Sequence, residues 1–348
     1  MDCVLHIGMH KTGTTAIQGC LSGYDDGTTR YADLGPSNHS VPLATIFADN
    51  PELVPSHRMS GRSQSEVCKL QEKWSLALER DLRGPSRRLI LSAESLTTNM
   101  MSLKAVIRLR DRIASAGRSV QVITYVRDPV SLANSKFQQR LRGGETRLHV
   151  PRPNYRARFK KIIDAFGRDR TEFIRYDRVL FPDRSVVRDF ATRFSIMPEK
   201  PLLGDTNPSM CQDAAALLLE FNRHGPRASG TPALARARQR FLRVLRFDLV
   251  GPPFRLPDAW LNCAIHMPDL QWLSQNTGVS FKIEDEYLRP TRPPEPKTDL
   301  PPAGEATRTR ITEILRGLGV DASADEPSLD LTTKLFFHFL SQLEHRSA

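Results

Sequence analysis

The sequence predicts a three-layer α/β/α protein with a central parallel sheet, followed by a helical C-terminal part. Short apolar runs alternate with amphipathic segments of helix length through the first two thirds of the chain, which is typical of βαβ units. The run Leu89-Ile90-Leu91 is unbroken, as expected for a strand that helices cover on both faces. Beyond residue 200 the apolar patterns have only helical spacing.

The individual elements follow from these patterns. Residues 119–126 are rich in β-branched side chains and predict a strand. Asp128 and Pro129 suit the N-cap and first position of a helix that ends at Gly143-Gly144. We predict strands at 3–8, 87–95, 119–126 and 171–177, and helices at 14–23, 101–117, 129–142, 154–167 and 185–194.

The second part of the chain predicts helices near 209–224, 231–248 and 257–276. We therefore expect one domain over 1–288, with an α/β core at 1–200 and a helical part at 201–288. The proline-rich segment 289–302 predicts an extended linker, and 303–348 a C-terminal extension of one or two helices.

The composition is that of a folded protein with an excess of positive charge. Apolar residues make up 39% and charged residues 26% of the chain, and the net charge is +11. A nucleic acid, an anionic membrane, a polyanionic glycan or a phosphorylated nucleotide would suit that charge. The five cysteines have no metal-binding spacing and favour a reducing compartment. The sequence has no signal-peptide pattern, so we expect a cytoplasmic protein. It has no apolar run of membrane-spanning length, so we expect no transmembrane segment. The cysteine spacing leads us to expect no metal.

Residues 6–18, HIGMHKTGTTAIQ, form a glycine-containing loop between the first predicted strand and helix. Backbone N–H groups and the start of a helix make such a junction a binding site for anions. Gly8 and Gly13 have the spacing of a Walker A loop, but that motif requires Lys-Ser/Thr directly after the second glycine. Here Lys11 stands two residues before Gly13. A P-loop nucleotide kinase that uses ATP–Mg²⁺ is therefore an alternative, although Lys11 does not stand where the Walker A motif requires its lysine.

Two motifs together resemble a known family. The stretch K-T-G-T-T at 11–15 is similar to the 5′-phosphosulfate loop, K-[ST]-G-T-[TS], of sulfotransferases that use 3′-phosphoadenosine 5′-phosphosulfate (PAPS). In that family a later strand ends in R-[DN]-P and the next helix presents a serine eight residues after the arginine. The stretch YVRDPVSLANS has Arg127 and Ser135 at that spacing. The resemblance covers residues 1 to about 285.

The resemblance implies a P-loop-like nucleotide-binding fold and a role for each matching residue. Two residues, Arg127 and Ser135, would hold the 3′-phosphate of the nucleotide. The 5′-phosphosulfate would lie against the loop residues Lys11, Thr12, Gly13, Thr14 and Thr15. The residue types suit that chemistry, since sulfuryl transfer needs positioning and stabilisation of charge on the leaving oxygen. Lysine supplies a point charge and arginine a forked donor. Because the phosphosulfate carries less negative charge than a triphosphate, no metal is required.

A hydroxyl acceptor needs a general base. Glu94, just past the apolar run Leu89-Ile90-Leu91 of the strand predicted at 87–95, is the first candidate because glycan-modifying sulfotransferases often use a glutamate. A structural carboxylate that caps a helix or pairs with an arginine is the alternative for Glu94. His10, beside Lys11, is a further catalytic candidate or else a solvent-facing loop residue. His39 could line the acceptor pocket, whereas His6 lies inside a predicted strand and suits the core.

The sequence therefore predicts a PAPS-dependent sulfotransferase that acts on a hydroxyl group of a small molecule or glycan. The basic surface and the Glu94 analogy point towards a carbohydrate or glycolipid acceptor. A nucleotide kinase is the second hypothesis. A basic nucleic-acid-binding protein is the third, although the sequence has no RNP-like aromatic motif, helix-turn-helix or zinc-finger pattern.

Overall fold

A computed structural model describes residues 1–198, 209–226, 231–284 and 300–344. The described residues form two compact units. The first unit comprises the described parts of Met1–Asp128, Asn154–Thr206 and His266–Lys282. The second comprises those of Pro129–Pro153, Asn207–Ile265 and Ile283–Ala348.

The first unit contains a sheet of five parallel strands. In chain order these are β1 (Asp2–His6), β2 (Thr29–Tyr31), β3 (Arg88–Ser92), β4 (Ser119–Arg127) and β5 (Thr171–Tyr176). Their order across the sheet is β2-β3-β1-β4-β5, and every neighbouring pair is parallel. The central position of β1 explains its burial, since four of its five residues are buried.

Helices cover most of the remaining described chain. They are α1 (Thr14–Leu21), α2 (Ser40–Phe47), α3 (Pro55–Met59), α4 (Gln64–Arg83), α5 (Leu103–Ser115), α6 (Pro129–Arg142), α7 (Tyr155–Phe166), α8 (Val186–Phe194), α9 (Gln212–His224), α10 (Pro232–Phe247), α11 (Asp258–Ala264), α12 (Met267–Thr277), α13 (Glu305–Gly317) and α14 (Ser328–Glu344).

The two faces of the sheet pack against different helices because successive strand residues point in opposite directions. Leu5 on β1 belongs to a core cluster with residues of α2, α4, α5 and α7. Its neighbour Val4 belongs to another cluster, with residues of α1 and α8. The predicted three-layer α/β/α class with a central parallel sheet is therefore confirmed.

The strand order places the topological switch point of the sheet at the carboxyl ends of β1 and β4. The connection from β1 passes through α1 to one side of the sheet, whereas the connection from β4 to β5 passes through α7 to the other. The two helices pack in core clusters on opposite faces of the sheet. Open α/β sheets bind ligands at such a switch point.

Residues 24–86 form more structure than the sequence analysis assigned. β2 has only three residues, too few for a recognisable alternation of side chains. The 20-residue helix α4 begins with a capping box in which Ser63 and Glu66 bond reciprocally. That pair is visible in the sequence, so the helix could have been predicted. The predicted helix 257–276 is two helices, α11 and α12, and Pro268 stands at the second position of α12.

The second unit is helical, with a core shared by α6, α9, α10, α11, α13 and α14. Phe221, Phe241 and Phe336 meet at its centre, with ring centroids 4.6 Å apart for the first pair. Helices α13 and α14 contribute to this core, and α6 also lies in the second unit. The domain division given by the sequence stays a prediction. Most of the predicted linker 289–302 lies outside the described residues. In the part of the chain that the structure describes, no helix has the length and apolarity needed to cross a bilayer.

Candidate functional site

The loop between β1 and α1 is attached to the end of β4. The backbone N–H of Met9 donates to the carbonyl of Tyr125 at 3.1 Å. The hydroxyl of Thr124 donates to the carbonyl of Gly8 at 2.6 Å. These bonds hold the K-T-G-T-T motif beside the carboxyl end of β4, where the second predicted motif begins.

Two threonine hydroxyls stabilise the loop from inside. Thr12 and Thr14 both donate to the carbonyl of Met9, at 2.6 and 3.3 Å, and both side chains are buried. In this conformation both hydroxyl hydrogens are bonded to the Met9 carbonyl, so these residues can bind an anion through their backbone N–H groups but not through their hydroxyls. Thr15 is exposed at the start of α1, where the first helical N–H groups have no intrahelical acceptor.

The loop backbone requires left-handed conformations. Gly13 has φ 76°, and a Cβ atom there would lie 2.5 Å from Cγ1 of Val186 on α8. Glycine is therefore needed at position 13 both for its backbone angle and for the packing of α8. Lys11 also has a positive φ, of 68°, and is half-buried.

Arg127, the last residue of β4, lies directly beside the loop. Its guanidinium donates to the backbone carbonyl of Lys11, and it lies over the ring of Tyr176 with 5.5 Å between Cζ and the ring centroid. The backbone carbonyl of Arg127 accepts a 2.6 Å bond from the Tyr155 hydroxyl. Ser135 is half-buried on α6 in the second unit, so its predicted pairing with Arg127 stays a prediction.

Glu94 and His10, both proposed from sequence as catalytic, lie next to each other. Glu94 opens a 3₁₀ turn, Glu94–Thr97, after the carboxyl end of β3. Its Oε2 atom lies 3.7 Å from Nε2 of His10, and the two side chains are 19% and 34% exposed. A Cβ atom on Gly8 would lie 3.0 Å from Cγ of Glu94, so the glutamate packs against the loop itself. Four predicted residues, Lys11, His10, Glu94 and Arg127, thus belong to one region of the first unit.

Two cations on α7 support this region, and the sequence analysis did not identify them. Arg158 donates to the hydroxyl of Thr97, and burial lowers its pKa while the Glu94 carboxylate raises it. Lys161 donates to the carbonyls of Thr98 and Met101, and burial, followed by the charge of Arg158, lowers its pKa to about 8. Only the packing of α7 against the segment after β3 reveals their role.

His39 is part of the core. It is fully buried, its Nε2 donates to the carbonyl of Ala32 at 3.0 Å, and its Nδ1 accepts from the N–H of Ser92 at 3.1 Å. The neutral ring therefore joins the end of β3 to the segment after β2. His6 is also buried, with Nδ1 2.9 Å from Oγ of Ser92. Burial lowers the pKa of His39 to about 4 and that of His6 to about 3.

These two histidines predict a loss of stability in mild acid. The unfolded chain protonates each imidazole below a pKa of about 6.5, whereas the folded protein keeps both neutral until pH 4 and below. The unfolded state then binds more protons, so the free energy of unfolding falls by up to about 1.4 kcal/mol per pH unit for each histidine as pH drops below 6.5. Urea denaturation at pH 7, 6 and 5 should show this slope.

His39→Gln should flatten the slope, because the variant has one fewer imidazole to protonate on unfolding. The exposed His266→Gln is the matched control and should leave the slope unchanged. An identical pH dependence in wild type and His39→Gln would contradict the assignment of a neutral buried ring.

Comparisons with known proteins give little further information. No family model matches the chain, and no curated protein matches it. Among solved structures, a sulfotransferase from Alicyclobacillus acidocaldarius is similar, with 16% sequence identity and a TM-score of 0.35. The similarity covers 68% of this chain and 99% of that one. A similarity of this size does not establish a shared function.

Proposed function

We propose that this chain is a sulfotransferase that moves the sulfuryl group of PAPS to a hydroxyl group of an acceptor. The observation that carries the proposal is the hydrogen bond from the Arg127 guanidinium to the Lys11 carbonyl. This bond brings a loop lysine and a second cation together at the carboxyl ends of two adjacent parallel strands. A nucleotide with two separate phosphate positions suits that pair of cations.

The residues of the first unit can hold such a donor. We propose that N–H groups of the loop and of the start of α1 bind the 5′-phosphosulfate, and Gly13, which has no side chain, lets a ligand approach the backbone closely. The guanidinium of Arg127 carries five N–H donors in a planar fork, which suits it to bind a phosphate. Ser135 is proposed as the second ligand of that phosphate on the basis of its spacing from Arg127 alone.

The proposed chemistry uses Lys11 and Glu94. As the bond between sulfur and the leaving phosphate oxygen breaks, the ammonium of Lys11 stabilises the charge that develops on that oxygen. The acceptor oxygen forms the new bond to sulfur, and its proton passes to the Glu94 carboxylate. His10, 3.7 Å from Glu94, is the alternative proton acceptor. The acceptor class proposed is a carbohydrate or glycolipid.

Titration calorimetry tests the donor. We expect 3′,5′-adenosine bisphosphate to bind without magnesium and more tightly than ATP–Mg²⁺. Arg127→Ala should weaken this binding by about 10- to 100-fold, because a hydrogen bond to a charged group contributes about 1.5–3 kcal/mol. Arg112→Ala is the matched control, since Arg112 lies on α5 and pairs with Glu79 at 3.1 Å.

Two outcomes would contradict the proposal. Preference for ATP–Mg²⁺ would favour a nucleotide kinase, even though Thr14 stands where that family needs its lysine. Equal bisphosphate affinity in wild type and Arg127→Ala would remove Arg127 from the donor site. A mixed-sequence oligonucleotide in the same experiment tests the nucleic-acid hypothesis, which predicts steeply salt-dependent binding.

A further inference from the structure

Helix α10 lies in the most basic part of the second unit. Residues 221–247 contain seven arginines and no aspartate or glutamate. Five of those arginines belong to α10. One side of the helix, with Ala237, Phe241 and Leu245, is buried in the core of the second unit. The helix is therefore anchored by one face and presents arginines on the rest of its surface.

One arginine of α10, the half-buried Arg238, has a structural role. Arg238 donates to the backbone carbonyl of Arg142 at 3.1 Å and to Oδ1 of Asn222 at 2.9 Å. It thereby binds a backbone carbonyl at the C-terminal end of α6, where positively charged side chains are favoured. Arg238 is thus explained by the fold.

A basic stripe runs along the outer face of α10. It consists of Arg236, Arg240, Arg243 and Phe247, which follow one another at i, i+4, i+7 and i+11 and so lie along one line. The stripe extends about 16 Å along the helix axis. Phe247 is 51% exposed, and Val250, just beyond the helix, is 90% exposed. Positive charge and apolar surface are therefore adjacent.

The arginines of the stripe differ in their ion pairs from the arginines of α5, which lies in the first unit. On α5, Arg108 pairs with Asp49, Arg110 with Asp111 and Arg112 with Glu79, at 2.7–3.1 Å. Within residues 1–198, 209–226, 231–284 and 300–344, none of the three stripe arginines lies within ion-pair distance of a carboxylate. Arg240 makes a hydrogen bond to Gln342 at 3.3 Å. Three guanidinium groups on one line, with no acidic partner among the residues that the structure describes, form a surface for an anionic partner.

We propose that the basic stripe and Val250 dock this protein on a membrane surface of anionic phospholipid. Arginines near such a surface are attracted by its negative potential, each by about 1 kcal/mol or fivefold in affinity. Exposed Phe247 and Val250 can enter the boundary between headgroups and acyl chains, where apolar side chains are stabilised. A polyanionic chain such as a sulfated glycan or DNA would neutralise the arginines but would leave these two side chains in water. The lipid surface therefore accounts for both features of the stripe.

Co-sedimentation with vesicles tests the proposal. The full chain should bind vesicles of phosphatidylcholine mixed with phosphatidylglycerol, bind vesicles of phosphatidylcholine alone much more weakly, and be released by salt. The triple variant R236Q/R240Q/R243Q should lose about a hundredfold in affinity for the anionic vesicles. The triple variant R108Q/R110Q/R112Q on α5 removes the same net charge and should lose less than about tenfold.

Further variants separate lipid from other anions. The substitution of all three stripe arginines by lysine should retain vesicle binding, which shows that charge rather than a local fold change is responsible. Phe247→Ser should weaken binding to anionic vesicles and leave binding to immobilised heparin unchanged. The proposal is overturned if the stripe variant binds anionic vesicles like wild type. It is equally overturned if heparin or an oligonucleotide binds while the vesicles do not.

Discussion

Replacing Lys11 with alanine is expected to lower kcat for sulfuryl transfer by about a thousandfold. One preorganised hydrogen-bond donor to a developing oxyanion contributes about a hundred- to a thousandfold to the rate, and a full positive charge contributes more. The effect should be confined to chemistry. Arg127 bonds to the backbone carbonyl of residue 11, which alanine retains, and alanine carries the same Cβ strain at φ 68° as lysine. The initial rate of bisphosphate release from PAPS with a panel of carbohydrate acceptors measures the loss.

Two controls distinguish a catalytic lysine from a structural one. Lys104→Ala removes an exposed lysine of α5 and should leave both rate and stability unchanged. Lys11→Arg keeps the charge but replaces a compact ammonium by a planar fork, so it should recover only a small part of the rate. A kcat within tenfold of wild type in Lys11→Ala would remove Lys11 from the mechanism.

The sequence predicted the part of the site that depends on single strand-to-helix junctions. The β1–α1 loop with Lys11 and the end of β4 with Arg127 each follow an apolar run and precede a helix. Parallel strands gather their carboxyl ends at one edge, so both motifs were expected there. The bond between the Arg127 guanidinium and the Lys11 carbonyl depends on β1 and β4 being neighbours, and no local pattern contains that information.

Other features depend on packing and could not be predicted from the sequence. The approach of Glu94 to His10 requires β3 to lie beside β1. The cations Arg158 and Lys161 reach the segment after β3 only because α7 packs against it. The inward direction of the Thr12 hydroxyl follows from the loop conformation, since a threonine in a phosphate-binding loop can equally point outwards.

Replacing Glu94 with glutamine is expected to lower kcat by about a hundred- to ten-thousandfold, the usual contribution of a general base. Glutamine preserves the size of the side chain that packs against Gly8 but cannot accept the acceptor's proton. The initial rate of bisphosphate release from PAPS at saturating acceptor, measured for both proteins, gives the difference.

His10→Asn distinguishes the two possible bases in this site. If Glu94 takes the proton, His10→Asn should lower kcat by no more than about tenfold. If His10 takes it, His10→Asn should show the larger loss, and Glu94→Gln should retain substantial turnover because the glutamate then only orients the ring 3.7 Å away. Calorimetry with the bisphosphate should give wild-type affinity for both variants, since neither residue is proposed to bind the donor. Full turnover in Glu94→Gln would therefore exclude Glu94 as the base and leave the donor site unaffected.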